Sequence, residues 1–258
     1  MTADARSPLD YRHHVYERYA THYKSTTAFN AQAAERFAAL YRHYLRGWLP
    51  DNPHAPMIDL ACGSGRLLHL YKQLGYDNLA GVDISPEMVH VARQVSDRVE
   101  QGDVIETVRR RPGHYQLISA FDLIEHLTKN ELLDLLGGCF DALAPGGRLI
   151  LHTTNADSPM FTQIQYGDFS HEQCFSTAGL RRVLTLSGFE AVEFRERGPL
   201  PIGIRGRIRC ALWRGIKWAV RTWNTIELGS PGSNVFSRIV LVSAVKPDRA
   251  ADTTTQAA

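Results

Sequence analysis

The sequence predicts an α/β fold, a doubly wound and mostly parallel sheet with helices on both faces. Three observations carry that expectation. Short apolar runs alternate with helix-spaced segments from residue 57 to residue 154, the pattern of a parallel sheet with crossover helices. The first run ends in a glycine-rich turn, Asp59-Leu-Ala-Cys-Gly63-Ser-Gly65, where the lack of a Cβ lets backbone approach a ligand. The second run ends in another acid, Asp83, and ligands of such sheets bind beyond the carboxyl ends of the strands.

The elements follow in order. Residues 1–10 and about the last ten are small and polar and read as disordered. Residues 11–49 carry helical spacing (Tyr16, Tyr19, Tyr23, then Phe37, Leu40, Tyr41, Tyr44, Leu45), and the run at 50–56 is rich in breakers. Strands are expected at 57–61, 78–84, 116–124 and 148–154, with helices at 65–74, 86–95 and 131–143. Pro86 suits a first helical position, where no amide hydrogen is needed. A helix at 177–188, with Ser176 as its N-cap, a strand at 189–197, a long basic and aromatic segment at 203–227, and a closing strand at 237–245 complete the chain.

Composition excludes several classes. Of 258 residues, 44% are hydrophobic and 22% charged, as in ordinary globular proteins, and a net charge of +2 gives no bulk attraction for nucleic acid. The four cysteines (Cys62, Cys139, Cys174, Cys210) form no Cys-x-x-Cys pair, so neither a disulfide framework nor a zinc ribbon is indicated. The N-terminus lacks the apolar core of a signal peptide, and no run of about 18 apolar residues exists. A soluble, cytoplasmic protein is expected.

Two cofactor classes use a glycine turn after the first strand. A dinucleotide site wants Gly-x-Gly-x-x-Gly, but Leu68 stands at the third position. Asp59 would also repel a pyrophosphate, whereas it suits an ammonium group. Asp83 can accept from a ribose diol, and Asp103 can accept from an exocyclic adenine amine. S-adenosylmethionine carries all three matching groups.

The segments MIDLACGSGRLL, LAGVDISPEM, QGDV, and YQLISAFDLIEHL followed by LAPGGRLILHTTN resemble the class I methyltransferases in order and spacing, over roughly residues 57–190. The resemblance implies a Rossmann-like seven-stranded sheet whose last strand is antiparallel. It also implies an S-adenosyl-L-methionine site made by Asp59, Ala61, Gly63, Gly65, Asp83, Ile84, Met88, Asp103, Val104 and Phe121, with Tyr23 in a lid. Ala61 departs from the family, which usually has glycine there. The tail segments, including ADSPMFTQIQYGDFSHEQCFST and VFSRIVLVSAVKP, are similar to a methyltransferase subgroup found with bacterial polysaccharide biosynthesis enzymes. That likeness implies a sugar hydroxyl on a glycan or glycan precursor as acceptor. A quinone-type or natural-product O-methyltransferase, an amino-sugar N-methyltransferase and a non-catalytic cofactor-binding scaffold are the alternatives.

Two clusters are candidates for chemistry. Asp122, Glu125 and His126 stand at i, i+3, i+4, and a helix there would project all three to one side. His126 would take a proton from the acceptor hydroxyl, the three would hold a divalent ion, or the His would serve only to hydrogen-bond a carbonyl. The segment is similar to the acid-x-x-Glu-His of ubiquinone-type O-methyltransferases, where a metal role is known; no metal is expected here. In the loop at 166–176, Asp168 would orient His171 as a base. The catalytic candidates are therefore His126, His171 and Asp122, and His152 lies on a strand that ends at the site.

Residues 204–227 form an amphipathic helix. Ile204, Ile208, Leu212, Ile216, Ala219, Trp223 and Ile226 share one face, and Arg207, Arg214, Lys217 and Arg221 another. Three readings stand: a membrane-surface helix, a clamp for a phosphate-bearing substrate, or a helix whose apolar face packs on the sheet while its basic face is solvated. The expected organisation is a helical lid at 1–50, a core at 51–197, the basic insertion at 198–234, a closing strand at 235–247 and a disordered tail at 248–258.

Overall fold

The computed structural model describes residues 28–248. The proposed lid tyrosines Tyr16, Tyr19 and Tyr23 lie outside these residues, as does most of the tail.

The chain runs α1 (Ala31–Tyr44), β1 (Met57–Leu60), α2 (Arg66–Gln73), β2 (Leu79–Asp83), α3 (Pro86–Ala92), β3 (Val99–Gln101), α4 (Val104–Arg109), β4 (Tyr115–Phe121), α5 (Lys129–Ala142), β5 (Leu143–Thr154), α6 (Thr162–Gln165), α7 (Thr177–Leu186), β6 (Glu190–Glu196), α8 (Gly203–Leu228) and β7 (Ile239–Val245). One seven-stranded sheet has the order β3-β2-β1-β4-β5-β7-β6. β1 to β5 pair in parallel. β7 runs antiparallel between β5 and β6. The expected fold class is therefore the one observed.

Local chemistry explains the element starts. Ser85 caps α3 through Met88 N, with Pro86 at the first turn. Thr128 and Glu131 cap α5 reciprocally, and Ser176 caps α7. All four residues of β1 are buried, as a strand covered on both faces requires. On one face of the sheet, α1 and α2 pack Tyr41, Tyr44, Leu68 and Tyr71 against Leu117, Ile150 and Leu241. On the other, α4, α5 and α7 bring Val108, Leu135, Leu136 and Leu180 onto Ile118 and Leu149. At Gly81 a Cβ would sit 2.9 Å from Leu68 Cδ1 and 3.1 Å from Cys62 Sγ, so glycine lets α2 close on β2.

Two expected boundaries move. β5 starts at Leu143, because Leu143 pairs with Tyr115 before a register shift between Tyr115 and Leu117. β4 stops at Phe121, and the FDLIEH segment is no continuing helix. Asp122 adopts a left-handed backbone, φ 50°, and only a 3₁₀ turn follows at Ile124–His126.

β1 lies between β2 and β4, so connections leave it in opposite directions. The crevice outside the carboxyl ends of the strands at such a switch point is where ligands bind in open α/β sheets.

Candidate active site

At that switch point lies a cavity of about 770 Å³, within the range of small-molecule sites. The turn after β1 forms one wall. Ala61, Gly63 and Gly65 all have positive φ, at 52°, 53° and 80°. A β-carbon at such φ costs about 1–2 kcal/mol, which explains why glycine suits position 61 and what its alanine costs. Gly65 itself does not line the cavity. It opens α2, and a Cβ there would sit 3.3 Å from Ala92, so its role is to let α3 approach.

Asp83 organises the turn. Its Oδ2 accepts from Gly63 N at 2.8 Å and its Oδ1 from Ser85 N at 2.9 Å. Burial raises its pKa, and the two backbone bonds oppose that rise. Asp59 is 3% exposed. Its Oδ1 accepts from Ser119 Oγ at 2.7 Å, the one hydrogen-bond donor to its side chain among the described residues. Burial pushes its pKa up to about 7, with Asp83 adding to the rise and Ser119 opposing it. A buried carboxylate on a cavity wall without a cationic partner is a site for a positively charged ligand group. Asp103 caps α4, accepting from Glu106 N at 2.9 Å through Oδ1, and still lines the cavity. Ile84, Met88, Val104 and Phe121 complete the apolar lining. Acidic groups at three strand ends, Asp59, Asp83 and Asp103, thus stand around an apolar waist on one cavity wall.

The catalytic candidates do not lie as the helical spacing suggested. Asp122 and Glu125 part company because Asp122 turns left-handed at the end of β4. Asp122 Oδ1 accepts from His152 Nδ1 at 2.7 Å, and His152 Nε2 meets Tyr41 Oη at 2.8 Å. With Nδ1 donating to the carboxylate, Nε2 accepts from the tyrosine hydroxyl. His152 is buried and stacks on Phe121, ring centroids 4.9 Å apart. Burial raises the Tyr41 pKa far above its ordinary value. Tyr41 and Asp122 both line the cavity. Sequence reasoning missed Tyr41, which reads as one more apolar residue on its helix, and its partner lies 111 positions away.

Glu125 is buried, with Oε2 accepting from Thr153 Oγ1 at 2.8 Å, a different partner from that of Asp122. Burial and the nearby charge of Asp122 push its carboxyl well above the usual range. His126 lines the cavity. Its Nδ1 lies 3.0 Å from Ser170 Oγ and 3.2 Å from Ser170 O. The Ser170 hydroxyl donates to Asp168 Oδ1 at 2.6 Å, so Nδ1 carries the imidazole proton and Nε2 keeps its lone pair. Burial lowers the His126 pKa, and His171 alongside lowers it further.

The expected Asp168–His171 pair does not form. Asp168 accepts from Ser170 N and Ser170 Oγ. Burial raises its pKa, but these bonds and the two imidazoles outweigh that and hold it below the ordinary value. His171 Nδ1 donates to Ile164 O at 3.1 Å. His171 does not line the cavity; it stands edge-on to His126, centroids 4.8 Å apart. Asp168 thus acts on His126 through Ser170. The metal-ligating candidates also change: ligand atoms of Glu125, His126 and His171 lie within 4.8 Å of one another, and Asp122 is not in that group.

Comparison with known proteins agrees with this geometry. A family model described as a methyltransferase domain matches residues 29–193. A ubiquinone biosynthesis O-methyltransferase of Xanthomonas euvesicatoria is 28% identical over 171 residues, covering 55% of this chain and 68% of that enzyme. The fold is similar to a SAM-dependent methyltransferase from Archaeoglobus fulgidus (TM-score 0.61, 20% identity, 83% of this chain and 94% of that one). It is also similar to a Haemonchus contortus phosphoethanolamine N-methyltransferase 2 solved with S-adenosylhomocysteine (TM-score 0.55, 19% identity, 83% of this chain and 52% of that one). The turn at Ala61–Gly65, the strand-end acids and the matched residues together establish that the chain belongs to the methyltransferase-domain family, as a class I S-adenosylmethionine-dependent methyltransferase.

Proposed function

We propose that the protein methylates a hydroxyl oxygen, with a phenolic hydroxyl of the quinol type as its first acceptor class. The observation that carries O-methylation is His126: a buried imidazole with its proton on Nδ1 and its pKa lowered by burial, on the wall of the cavity proposed to hold the cofactor. The ubiquinone-pathway relatives support a phenolic acceptor.

Bound S-adenosylmethionine supplies an electrophilic methyl group on a sulfonium. The chain does the rest. Asp59, Asp83 and Asp103 hold the cofactor's polar groups, Ala61, Gly63 and Gly65 shape the turn, Ile84, Met88, Val104 and Phe121 enclose it, and Tyr23 belongs to a lid. His126 takes the acceptor's proton at Nε2, and His171 and Ser170 position its ring. Asp122, held by His152, orients the acceptor hydroxyl. Proximity and alignment supply much of the rate. No step runs through a metal.

A sugar hydroxyl on a phosphate-bearing precursor is the second reading, as in enzymes of polysaccharide biosynthesis. Five arginines on α8, outside the matched residues 29–193, favour it. We place the protein in the cytoplasm, peripheral to the inner membrane face through 204–227, with 1–50, 51–197, 198–234 and 235–247 as lid, core, insertion and closing strand. Turnover of S-adenosylmethionine with catechols and quinols against sugars and nucleotide sugars tests the acceptor. Methylation of sugars alone would replace the first reading with the second. Tight cofactor binding without turnover on any acceptor would point to a scaffold instead.

A further inference from the structure

The apolar face of α8 does not pack on the sheet. α8 has no buried residue. The stripe turned to the body is Gly206, Cys210, Trp213, Lys217, Val220 and Asn224, each partly buried. It is fastened by Trp213 Nε1 and Lys217 Nζ donating to Glu196 Oε2, at 3.3 and 2.8 Å, and by Cys210 Sγ donating to Pro199 O at 3.3 Å. The stripe of Ile204, Ile208, Leu212, Ile216, Trp223 and Ile226 is 51–81% exposed. At 100° per residue it lies about 140° round the helix from the docked stripe.

Charges border this row on both sides. Arg207, Arg214 and Arg221 recur every seven residues along one margin, and Arg205 and Arg209 lie on the other. The one acid on the helix, Glu227, accepts from Trp223 Nε1 at 2.8 Å. An exposed apolar row running along about 33 Å of helix is the kind of contiguous patch that marks an interaction site.

Charge selects the occupant. A second copy docking on the same row would bring its five arginines against these five, with Glu227 as the only acid on either helix to offset them. An anionic phospholipid surface matches both the row and its margins. The docked stripe faces the protein, so the row is free to meet a surface side-on.

We propose that α8 is an interfacial anchor that lies in the plane of an anionic bilayer, with Ile204–Ile226 at the headgroup boundary and the arginine margins on lipid phosphates. This deepens the membrane-side placement given above and is independent of the acceptor.

The test uses the full chain with phosphatidylglycerol–phosphatidylcholine vesicles and with phosphatidylcholine vesicles, read by flotation and tryptophan emission. Binding to the anionic vesicles with a blue shift is expected, on the order of tenfold or more weaker on phosphatidylcholine and weakened by salt. The double variant Ile208→Asp, Leu212→Asp changes only exposed positions. It should lose vesicle binding at least about tenfold, with an unchanged circular dichroism spectrum and unchanged affinity for S-adenosylhomocysteine. Equal binding to both vesicle types, or binding to neither, overturns the proposal. Dimerisation that the double variant abolishes, without lipid binding, would assign the row to a second copy. Failure of the wild type to bind S-adenosylhomocysteine would overturn the methyltransferase reading and leave the lipid result standing.

Discussion

Protonating Asp59 should weaken cofactor binding, and the size of the effect follows from its pKa. Burial raises that value from 3.8 to about 7. If only the carboxylate pairs with the cofactor's ammonium, the apparent dissociation constant rises by a factor of 1 + 10^(pKa − pH). That factor is about 11 at pH 6 and about 1.1 at pH 8. Below pH 7, binding should also release about one proton. Without cofactor the same residue acts on stability in a defined sense. Its folded pKa lies above its unfolded one, so its contribution is fully present below pH 3.8 and is lost as pH rises through 7, about 4 kcal/mol in all at about 1.4 kcal/mol per unit. Glu125, also raised by burial, acts in the same direction. Asp59→Asn should therefore raise the melting temperature of the cofactor-free protein at pH 8. It should also weaken S-adenosylhomocysteine binding roughly 10- to 100-fold and flatten the pH profile. Calorimetry in buffers of different ionisation enthalpy measures affinity and proton release together. A wild-type affinity unchanged between pH 6 and 8, or an Asn variant with the wild-type slope, would refute the pairing of Asp59 with an ammonium.

The remaining predictions concern the turn and the acid–base residues. Ala61→Gly relieves about 1–2 kcal/mol of left-handed strain and loses about 0.5–1 kcal/mol to chain entropy, so thermal unfolding should show a protein as stable as the wild type or up to about 1.5 kcal/mol more so; a clear loss would deny the strain. His126→Ala should lower kcat at saturating cofactor by about 10²–10⁴, and His171→Ala by less while shifting the acidic limb of the pH–rate profile. Equal rates in both variants and wild type would remove the base. His152→Phe breaks the bonds to Tyr41 and Asp122 and should cost roughly 2–3 kcal/mol by denaturant titration. A rise in KM for acceptor exceeding the rise for cofactor would support Asp122 as an acceptor-orienting group. Turnover should survive exhaustive chelation; a loss restored by added divalent ion would instead make Glu125, His126 and His171 ligands.

What the sequence made legible were features with local causes. The acids at 59, 83 and 103, the glycine turn, Pro86 and the Ser176 cap follow from strand ends, φ preferences and capping rules that act over a few residues. The departures have long-range causes. Helical spacing grouped Asp122, Glu125 and His126, but His152 and Thr153 on β5 give the two carboxylates separate partners. Proximity suggested Asp168 with His171, whereas Ser170 lies between Asp168 and His126. The amphipathic pattern of α8 identified its apolar row but not its direction. Glu196, beyond the helix, fixes Trp213 and Lys217 and so turns the row outward.

Asp83 holds the turn through Gly63 N and Ser85 N, and its proposed part in binding the cofactor ribose is the most direct point to test. Calorimetric titration of S-adenosylhomocysteine into the wild type and Asp83→Ala, with NAD as a comparison ligand, tests it. The account predicts binding to the wild type, affinity at least about tenfold weaker in the variant, and no heat with NAD. Unchanged affinity in Asp83→Ala, or binding of NAD in place of S-adenosylhomocysteine, would contradict it.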